Sequence, residues 1–373
     1  MANKLAIRRL MPRKYTVIDL FAGVGGLSFG FAEMSDNFNI VAANEIIPDI
    51  AKSYELNHPN TMMLNCDIAD ITGEKLSEVL GDTKIDLVVG GPPCQSYSTL
   101  GKRQMDERAN LFKQYKRILG ILKPTAFIFE NVSGLLSMQG GNLFPKIRKE
   151  FENIGYNLKY KLLNAADYGV PQERKRVILV GIKGENTFEY PTATHGDAPG
   201  LKPYVMLKDA LGDLPSIKSG EENNNYTKKP DNEFLNFVRK NNTTILTGHK
   251  APKNNPELIK IMEALGDGQG KNDLPEKLRP QSGYGNTYAK LWWERPSTTI
   301  TRNFSCPSSS RCIHPRDSRA LTNREGARLQ SFPDDYKFYG SNTNIKLGIG
   351  NAVPCLLSRE LAKQMLIALE NKD

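Results

Sequence analysis

Between residues 15 and 181, short apolar runs alternate with stretches in which apolar residues recur at helical spacing. The runs are 17–21, 40–43, 85–89, 125–129 and 177–180; the helical patterns include 27–34 and 109–122. This alternation predicts a parallel α/β sheet covered by helices. Ligands in such folds sit beyond the carboxyl ends of the strands, so the residues that follow each run are where chemistry is expected. Near Pro191 the pattern changes: residues 216–255 are rich in Asn, Lys, Thr and Glu with little periodicity, which predicts a loop-rich second domain or an exposed insertion. The Gly-rich piece 266–271 lacks the strand before and the helix after that a phosphate-binding loop needs, and reads as a flexible loop. A last apolar helical stretch, 356–369, returns to α/β character.

Composition narrows the partners. The 373 residues are 39% hydrophobic and 24% charged, with no uninterrupted apolar run of membrane-spanning length. The basic start is followed by no apolar signal core, so a cytoplasmic protein is expected. Fifty Lys and Arg against 41 acidic residues give a net charge of +9, which favours a polyanionic partner. Five cysteines without a Cys-x-x-Cys pair argue against a disulfide framework, and Cys306, Cys312 and His314 lack both a fourth ligand and zinc spacing, so no metal is expected.

The first run ends in Asp19-Leu20-Phe21-Ala22-Gly23-Val24-Gly25-Gly26, where glycines let backbone approach a ligand closely. The missing third glycine of Gly-x-Gly-x-x-Gly counts against a dinucleotide. The second run leads into Asn44-Glu45, a carboxylate placed for the two hydroxyls of a ribose. The third strand ends in Cys66-Asp67-Ile68, whose acid suits an adenine amine while Ile46 and Ile68 offer apolar faces to the ring. A nucleoside without pyrophosphate, S-adenosylmethionine, fits this set best. A helix cap or a solvated loop is the plain alternative for each acid.

After the run 85–89 comes Gly90-Gly91-Pro92-Pro93-Cys94-Gln95-Ser96-Tyr97-Ser98. The two prolines stiffen the turn and aim the Cys94 thiol, as a nucleophile requires, and the polar residues behind it speak against a core site.

Five segments occur in the order found in cytosine-5 DNA methyltransferases of the bacterial restriction-modification type, and the chain resembles that family: Asp19-Leu20-Phe21-Ala22-Gly23, Gly91-Pro92-Pro93-Cys94-Gln95, Glu130-Asn131-Val132, Gln172-Glu173-Arg174-Lys175-Arg176 and Gly350-Asn351-Ala352-Val353-Pro354. The resemblance spans the chain apart from about 191–290. It implies a Rossmann-like S-adenosylmethionine-dependent sheet, residues 1–188, a smaller loop-rich target-recognition domain, 189–320, and a hinge and return to the catalytic domain, 321–373. It makes Cys94 the nucleophile, Glu130 the acid facing the base and Arg176 a contact to the base beside it. Phe21, Ala22, Gly23, Gly25, Glu45, Ile46, Asp67, Ile68, Pro93, Leu111, Asn351 and Val353 are expected around the cofactor. Gln95, Ser98, Arg174, Tyr284, Thr299 and Arg302 are expected at DNA. Arg279, Gln281, Asn286 and Asn303 are further candidates for reading bases. Arg174 and Arg176 alternate along an extended segment and are expected to share one face. Gly326 departs from the family pattern, which favours Ala or Cys there, and Ile46 replaces an often aromatic residue.

The implied reaction transfers a methyl group to carbon 5 of a cytosine flipped out of double-stranded DNA. The enzyme is expected to work as a monomer, with a cognate restriction endonuclease as its functional counterpart. Two rivals remain: the same chemistry on RNA, and a non-catalytic DNA-binding regulator. The absence of a Cys-Phe-Thr segment after the catalytic motif disfavours the first, and the intact trio Cys94, Glu130 and Arg176 disfavours the second.

Overall fold

The apolar runs become strands because they are apolar on both faces, as buried parallel strands are. A computed structural model describes residues 13–33, 37–93, 111–240, 243–281 and 285–372. Its main sheet has the order β3-β2-β1-β4-β5-β7-β6, with β1 Tyr15–Leu20, β2 Phe38–Asn44, β3 Met62–Leu64, β4 Leu87–Gly90, β5 Ala126–Val132, β6 Tyr156–Asn164 and β7 Lys175–Lys183. Helices α1 Gly26–Glu33, α2 Pro48–Asn57, α3 Gly73–Leu80, α4 Leu111–Leu122 and α5 Leu143–Glu152 connect them. Strand β1 pairs in parallel with β2 and β4, and β4 with β5. The carboxyl ends of the central strands therefore share one edge.

The expectation of a parallel sheet fails at β7, which runs antiparallel to β5. The link from β6 to β7 runs only from Ala165 to Arg174, too short for a crossover helix, so the chain turns back. The reversal brings the start of β7, rather than its end, to the functional edge. Strand β6 is largely uncovered, as an edge strand is, and carries Asn157, Lys159 and Lys161 among its apolar residues, which hides it from a search for apolar runs.

The chain forms two compact units. Unit 1 comprises Met1–Leu163, Lys175–Thr192 and Ser358–Asp373; unit 2 comprises Asn164–Arg174 and Ala193–Leu357. These boundaries differ from the expected ones in that residues 164–174 and 321–357 belong with the loop-rich part. Unit 1 packs Tyr115, Phe127, Phe129, Phe151 and Tyr156 into a fully buried cluster behind the sheet. The Tyr115 hydroxyl donates to the Ile128 carbonyl at 2.9 Å, satisfying the one polar atom this ring brings into the core.

Unit 2 has little regular structure: β8 Ala289–Lys290, β9 Arg311–Ile313, and helices α6 Leu207–Leu211, α7 Glu233–Val238, α8 Pro256–Glu263, α9 Asn323–Leu329 and α10 Asn342–Asn351. Helix α11 Cys355–Glu370 belongs to unit 1 from Ser358 onward. The Gly-rich piece 266–271 is a loop packed against its neighbours. Gly268, at φ +69°, leaves no room for a Cβ beside the Trp292 indole. Arg311 stacks 4.1 Å from that ring and donates to the Gly268 carbonyl at 2.8 Å. Buried ion pairs hold unit 2 from within. Arg328 grips Asp334 with Nε at 2.9 Å and also pairs with Asp213, which receives Arg239 at 3.0 Å. Arg319 clasps Glu325 through two nitrogens at 2.8 and 2.7 Å.

Candidate active site

The β1–α1 turn forces unusual backbone. Phe21 has φ +57°, Gly23 +58° and Gly25 +95°, the left-handed region where a non-glycine residue is strained. A Cβ on Gly23 would meet nothing within 4 Å among the described residues, so the turn is open on that side. Ala22 is buried, and its N–H donates to the Asn44 carbonyl at 2.9 Å, tying the turn to β2.

Glu45, just past β2, accepts from the Gly23 N–H at 3.1 Å and from the Ile47 N–H at 2.8 Å. Burial pushes its carboxyl above the ordinary value and those donors pull it back. Ile46 is 56% exposed, an apolar side chain more than half uncovered among the described residues. Its expected counterpart Ile68 is buried in the sheet's core cluster. Asp67 is exposed and caps the short 3₁₀ turn Ile68–Asp70, its Oδ1 accepting from the Ala69 N–H at 2.8 Å. Leu111 opens α4, half-buried against the core.

Three residues whose roles sequence reading did not single out support the turn. Asp19 is fully buried, and its Oδ2 accepts from Ser28 Oγ at 2.6 Å. Ser28 Oγ in turn lies 2.7 Å from the Tyr54 hydroxyl. A polar residue inside an apolar strand run, nine positions before a helical serine, is the signal that could have found this chain of bonds.

At the far side of the same edge, the antiparallel register sets Val132 opposite Arg176 and Glu130 opposite Ile178. Glu130 and Arg176 are thus diagonal neighbours within reach of long side chains. Arg176 Nε lies 2.7 Å from Glu130 Oε1, and each side chain is only 10% exposed. A Cβ on Gly91 would come within 2.6 Å of Glu130 Oε2, so only glycine lets this turn lie beside the carboxylate. Asn131 Nδ2 donates to the Pro92 carbonyl at 3.0 Å and clamps the same turn to β5. Pro93 is exposed and is the last described residue of the segment. Cys94, Gln95 and Ser98 lie outside the described residues, as does Tyr284.

In unit 2, Arg174 does not share a face with Arg176. It precedes β7, is 1% exposed, and donates to the Ile300 and Gly350 carbonyls, both at 2.9 Å. Gln172 joins it, accepting from the Ile300 N–H at 2.9 Å and donating to the Leu329 carbonyl at 2.8 Å. Gln330 completes the knot by donating to the Ile349 carbonyl at 2.7 Å. One buried polar knot therefore fastens four motif segments to one another, and a guanidinium so committed is a structural tie in this conformation. Alternation misses this because it assumes that the strand already extends to Arg174.

Thr299 is exposed and donates to the Glu173 carbonyl at 2.7 Å. Arg302, Asn303, Gln281 and Asn286 are exposed, while Arg279 is exposed but donates to the Leu274 carbonyl at 3.0 Å. Asn351 is exposed and Val353 buried, both in unit 2. Gly350 abuts the backbone of Thr301 and Arg302, and Gly326 abuts the Phe304 ring, which gives the departure from Ala or Cys a steric reason. Among the described residues no cluster of His, Cys, Asp and Glu is arranged to hold a metal, and no helix is long and apolar enough to cross a membrane.

Residues 15–366 match the family of C-5 cytosine-specific DNA methylases. The chain is 34% identical to the type II methyltransferase M1.HphI of Haemophilus parahaemolyticus, over 94% of this chain and 86% of that one. It is also 34% identical to the type II methyltransferase M.DdeI of Desulfomicrobium norvegicum, over 95% and 89%. A solved structure from E. coli, described as a prophage-encoded DNA modification methyltransferase, superposes with a TM-score of 0.76 at 26% identity, covering 95% of this chain and 99% of that one. With a turn built for close ligand approach, a carboxylate–guanidinium pair on the same sheet edge and a family match across nearly its whole length, the chain belongs to the C-5 cytosine-specific DNA methylases.

Proposed function

We infer that this chain methylates carbon 5 of a cytosine within a short specific sequence of double-stranded DNA, drawing on S-adenosylmethionine, as the modification enzyme of a type II restriction system. The observation that carries the reading is the Glu130–Arg176 pair beside the Gly91-Pro92-Pro93 turn. It acts as a monomer in the cytoplasm, and the matching endonuclease is a functional counterpart rather than a required physical one.

The residues present fit the cofactor. The open face of Gly23 leaves room at a turn whose neighbours are Glu45, for the ribose hydroxyls, and the exposed Ile46, for the adenine face. When bound, S-adenosylmethionine supplies an electrophilic methyl group on a sulfonium. Everything else falls to the chain's own side chains.

Carbon 5 of cytosine is a poor nucleophile until the ring loses its aromaticity. The Cys94 thiolate adds to carbon 6, the carbon 5–carbon 6 π bond is conjugated to N3, and N3, as it takes up the electron pair, receives the proton of the Glu130 carboxyl. Glu130 lies at the strand end with Oε1 held by Arg176 and Oε2 against Gly91, so its two oxygens are fixed before a base arrives. Carbon 5, now enamine-like, attacks the methyl carbon as its bond to sulfur breaks; the carbon 5 proton then passes to solvent, the pair it leaves re-forms the carbon 5–carbon 6 double bond as the Cys94 thiolate departs, and N3 returns its proton to Glu130. Arg176 keeps Glu130 oriented and brings a positive charge to the edge of the base. A base stacked in a duplex offers its face to none of these groups, so the target must be flipped out. Exposed polar groups of unit 2 such as Arg302, Asn303 and Gln281 are the ones free to read neighbouring bases.

Incubating the protein with methyl-labelled S-adenosylmethionine and duplex DNA, followed by bisulfite sequencing, tests this. The expected result is 5-methylcytosine confined to one sequence context. Label on an exocyclic amine, or on RNA alone, overturns the reading.

A further inference from the structure

The buried carboxyl of Asp19 has no role in holding a base, yet its surroundings are unusual. Its side chain is sealed from solvent at the end of β1, directly before the turn that is open at Gly23. Ser28 reaches the carboxyl through its hydroxyl, which donates to Oδ2, and through its backbone N–H; Oδ1 is buried without a hydrogen-bond partner among the described residues. No Lys or Arg among the described residues pairs with it. A carboxylate in such a place is costly unless a cation neutralises it or it holds a proton.

The groups facing it make the balance explicit. Ser28 on α1 stabilises the charged form, and the Tyr54 hydroxyl from α2 backs Ser28. Glu45, past the end of β2, repels a second negative charge, and Tyr115 from α4 stays neutral, its phenol raised by burial and by Asp19 itself. His58, at the end of α2, bonds to the Gly25 backbone and is lowered by burial to about 4, so it too is neutral near pH 7. Burial, opposed by Ser28 and reinforced by Glu45, pushes the Asp19 carboxyl up to about 7.

Resting on the cofactor assignment above, we propose that Asp19 is the charge-selecting residue of the cofactor site: it holds a proton while the turn is empty, and binding of the cationic methyl donor expels that proton, whereas the product, with its neutral sulfur, does not. The orphaned Oδ1 is the acceptor left for a positive charge. The consequence is a preference for donor over product that grows as pH rises, which favours product release after each turnover.

The test is isothermal calorimetry of S-adenosylmethionine and S-adenosylhomocysteine with the full-length protein, without DNA. Affinity for a ligand that needs the ionised form falls with the fraction ionised, so donor affinity should drop about tenfold from pH 8 to pH 6. Product affinity should stay level over that range, apart from changes common to both ligands, which is where any titration of Glu45 belongs. Repeating the titration at pH 7 in buffers of different ionisation enthalpy should show about half a proton released with the donor and none with the product. Asp19→Asn should abolish the difference between the two pH profiles. Ser28→Ala, which removes the hydroxyl that favours the charged form and keeps the backbone N–H, should move the midpoint of the donor profile to higher pH; a purely structural serine would leave it in place, and this variant keeps the test decisive if Asp19→Asn does not fold. Parallel profiles for the two ligands, or a donor profile unchanged in both variants, overturn the proposal. Failure of the wild-type protein to bind either ligand overturns the cofactor assignment and this proposal together.

Discussion

Unit 1 and unit 2 solve the problem of holding functional groups in place by opposite means. Unit 1 buries aromatic and aliphatic side chains behind a sheet and sets its polar groups on the sheet's edge, where Glu130 meets Arg176 and Gly23 meets Glu45. Unit 2, with two short strands and short helices, puts charge in its interior: Arg328, Asp213 and Asp334 are essentially inaccessible, as are Arg319 and Glu325. Hydrophobic burial is non-directional and tolerates drift, whereas a buried guanidinium fixes several partners at defined angles. Where strands are too short to organise loops, side-chain ion pairs and backbone-carbonyl ties such as those of Arg174 and Gln330 take over.

The comparison is broken most severely at the catalytic edge. Cys94→Ala should abolish methyl transfer while leaving the unfolding transition and cofactor binding in place, because the thiol acts only on the base; this is read by label incorporation alongside a thermal melt. Glu130→Gln should lower kcat by about 10²–10⁴-fold with the fold intact. Retention of near wild-type kcat would remove Glu130 from the mechanism.

In unit 2 the corresponding change strikes stability. Arg328→Met removes the buried guanidinium that Asp213 and Asp334 share and should cost about 3–5 kcal/mol in denaturant unfolding. Lys52→Met, at an exposed pair, should cost less than about 1 kcal/mol. Equal effects would mean that the buried network contributes no more than a surface pair.

Acid sharpens the contrast. In unit 2, burial alone would raise Glu325 and Asp334, but Arg319 and Arg328 hold both below the ordinary carboxylate range, so the stability they contribute is present above about pH 4 and is lost as pH falls through their depressed values. His314, lowered by burial, works in the same direction from about pH 6.5 downward. In unit 1 the raised Asp19 gains stability as pH falls from about 7 toward 4, while the lowered His58 loses it over nearly the same window, and the two offset. Hydrogen exchange between pH 7 and 4 should therefore show unit 2 amides losing protection first, by about 1–3 kcal/mol through His314, with the carboxylate contribution lost only below about pH 4. Uniform loss across both units would contradict this.

A smaller effect separates cofactor from base. Glu45→Ala should weaken S-adenosylmethionine binding by about 1–3 kcal/mol, the cost of hydroxyls left without a charged acceptor, with the unit 2 melt unchanged.

Much of unit 1 is legible in the sequence because its strands are continuous apolar runs and its site residues follow them in order: Gly23, Glu45 and Gly91 stand just past a strand, and Glu130 follows the apolar run 125–129 within β5. Strand β6 is not legible, because an edge strand bearing Asn157, Lys159 and Lys161 breaks the apolar pattern. Nor is the direction of β7, since an apolar run carries no sign of orientation. Unit 2 is the harder case. The partners of Arg174 lie at Ile300 and Gly350, more than a hundred residues along the chain, and no local period announces them. The same distance hides why Gly326 cannot carry a Cβ: the obstacle is the ring of Phe304.

The central claim is covalent attack at carbon 6 with methyl transfer to carbon 5. After transfer, the proton on carbon 5 must leave before Cys94 can, and fluorine cannot leave as a cation. Duplex DNA bearing 5-fluorocytosine at the target should therefore become joined to the protein only when S-adenosylmethionine is present, survive denaturing electrophoresis, and map by mass spectrometry to the peptide around Pro93-Cys94-Gln95. A substrate that is methylated in its unfluorinated form yet yields no such adduct would contradict the account and favour attack on an exocyclic amine.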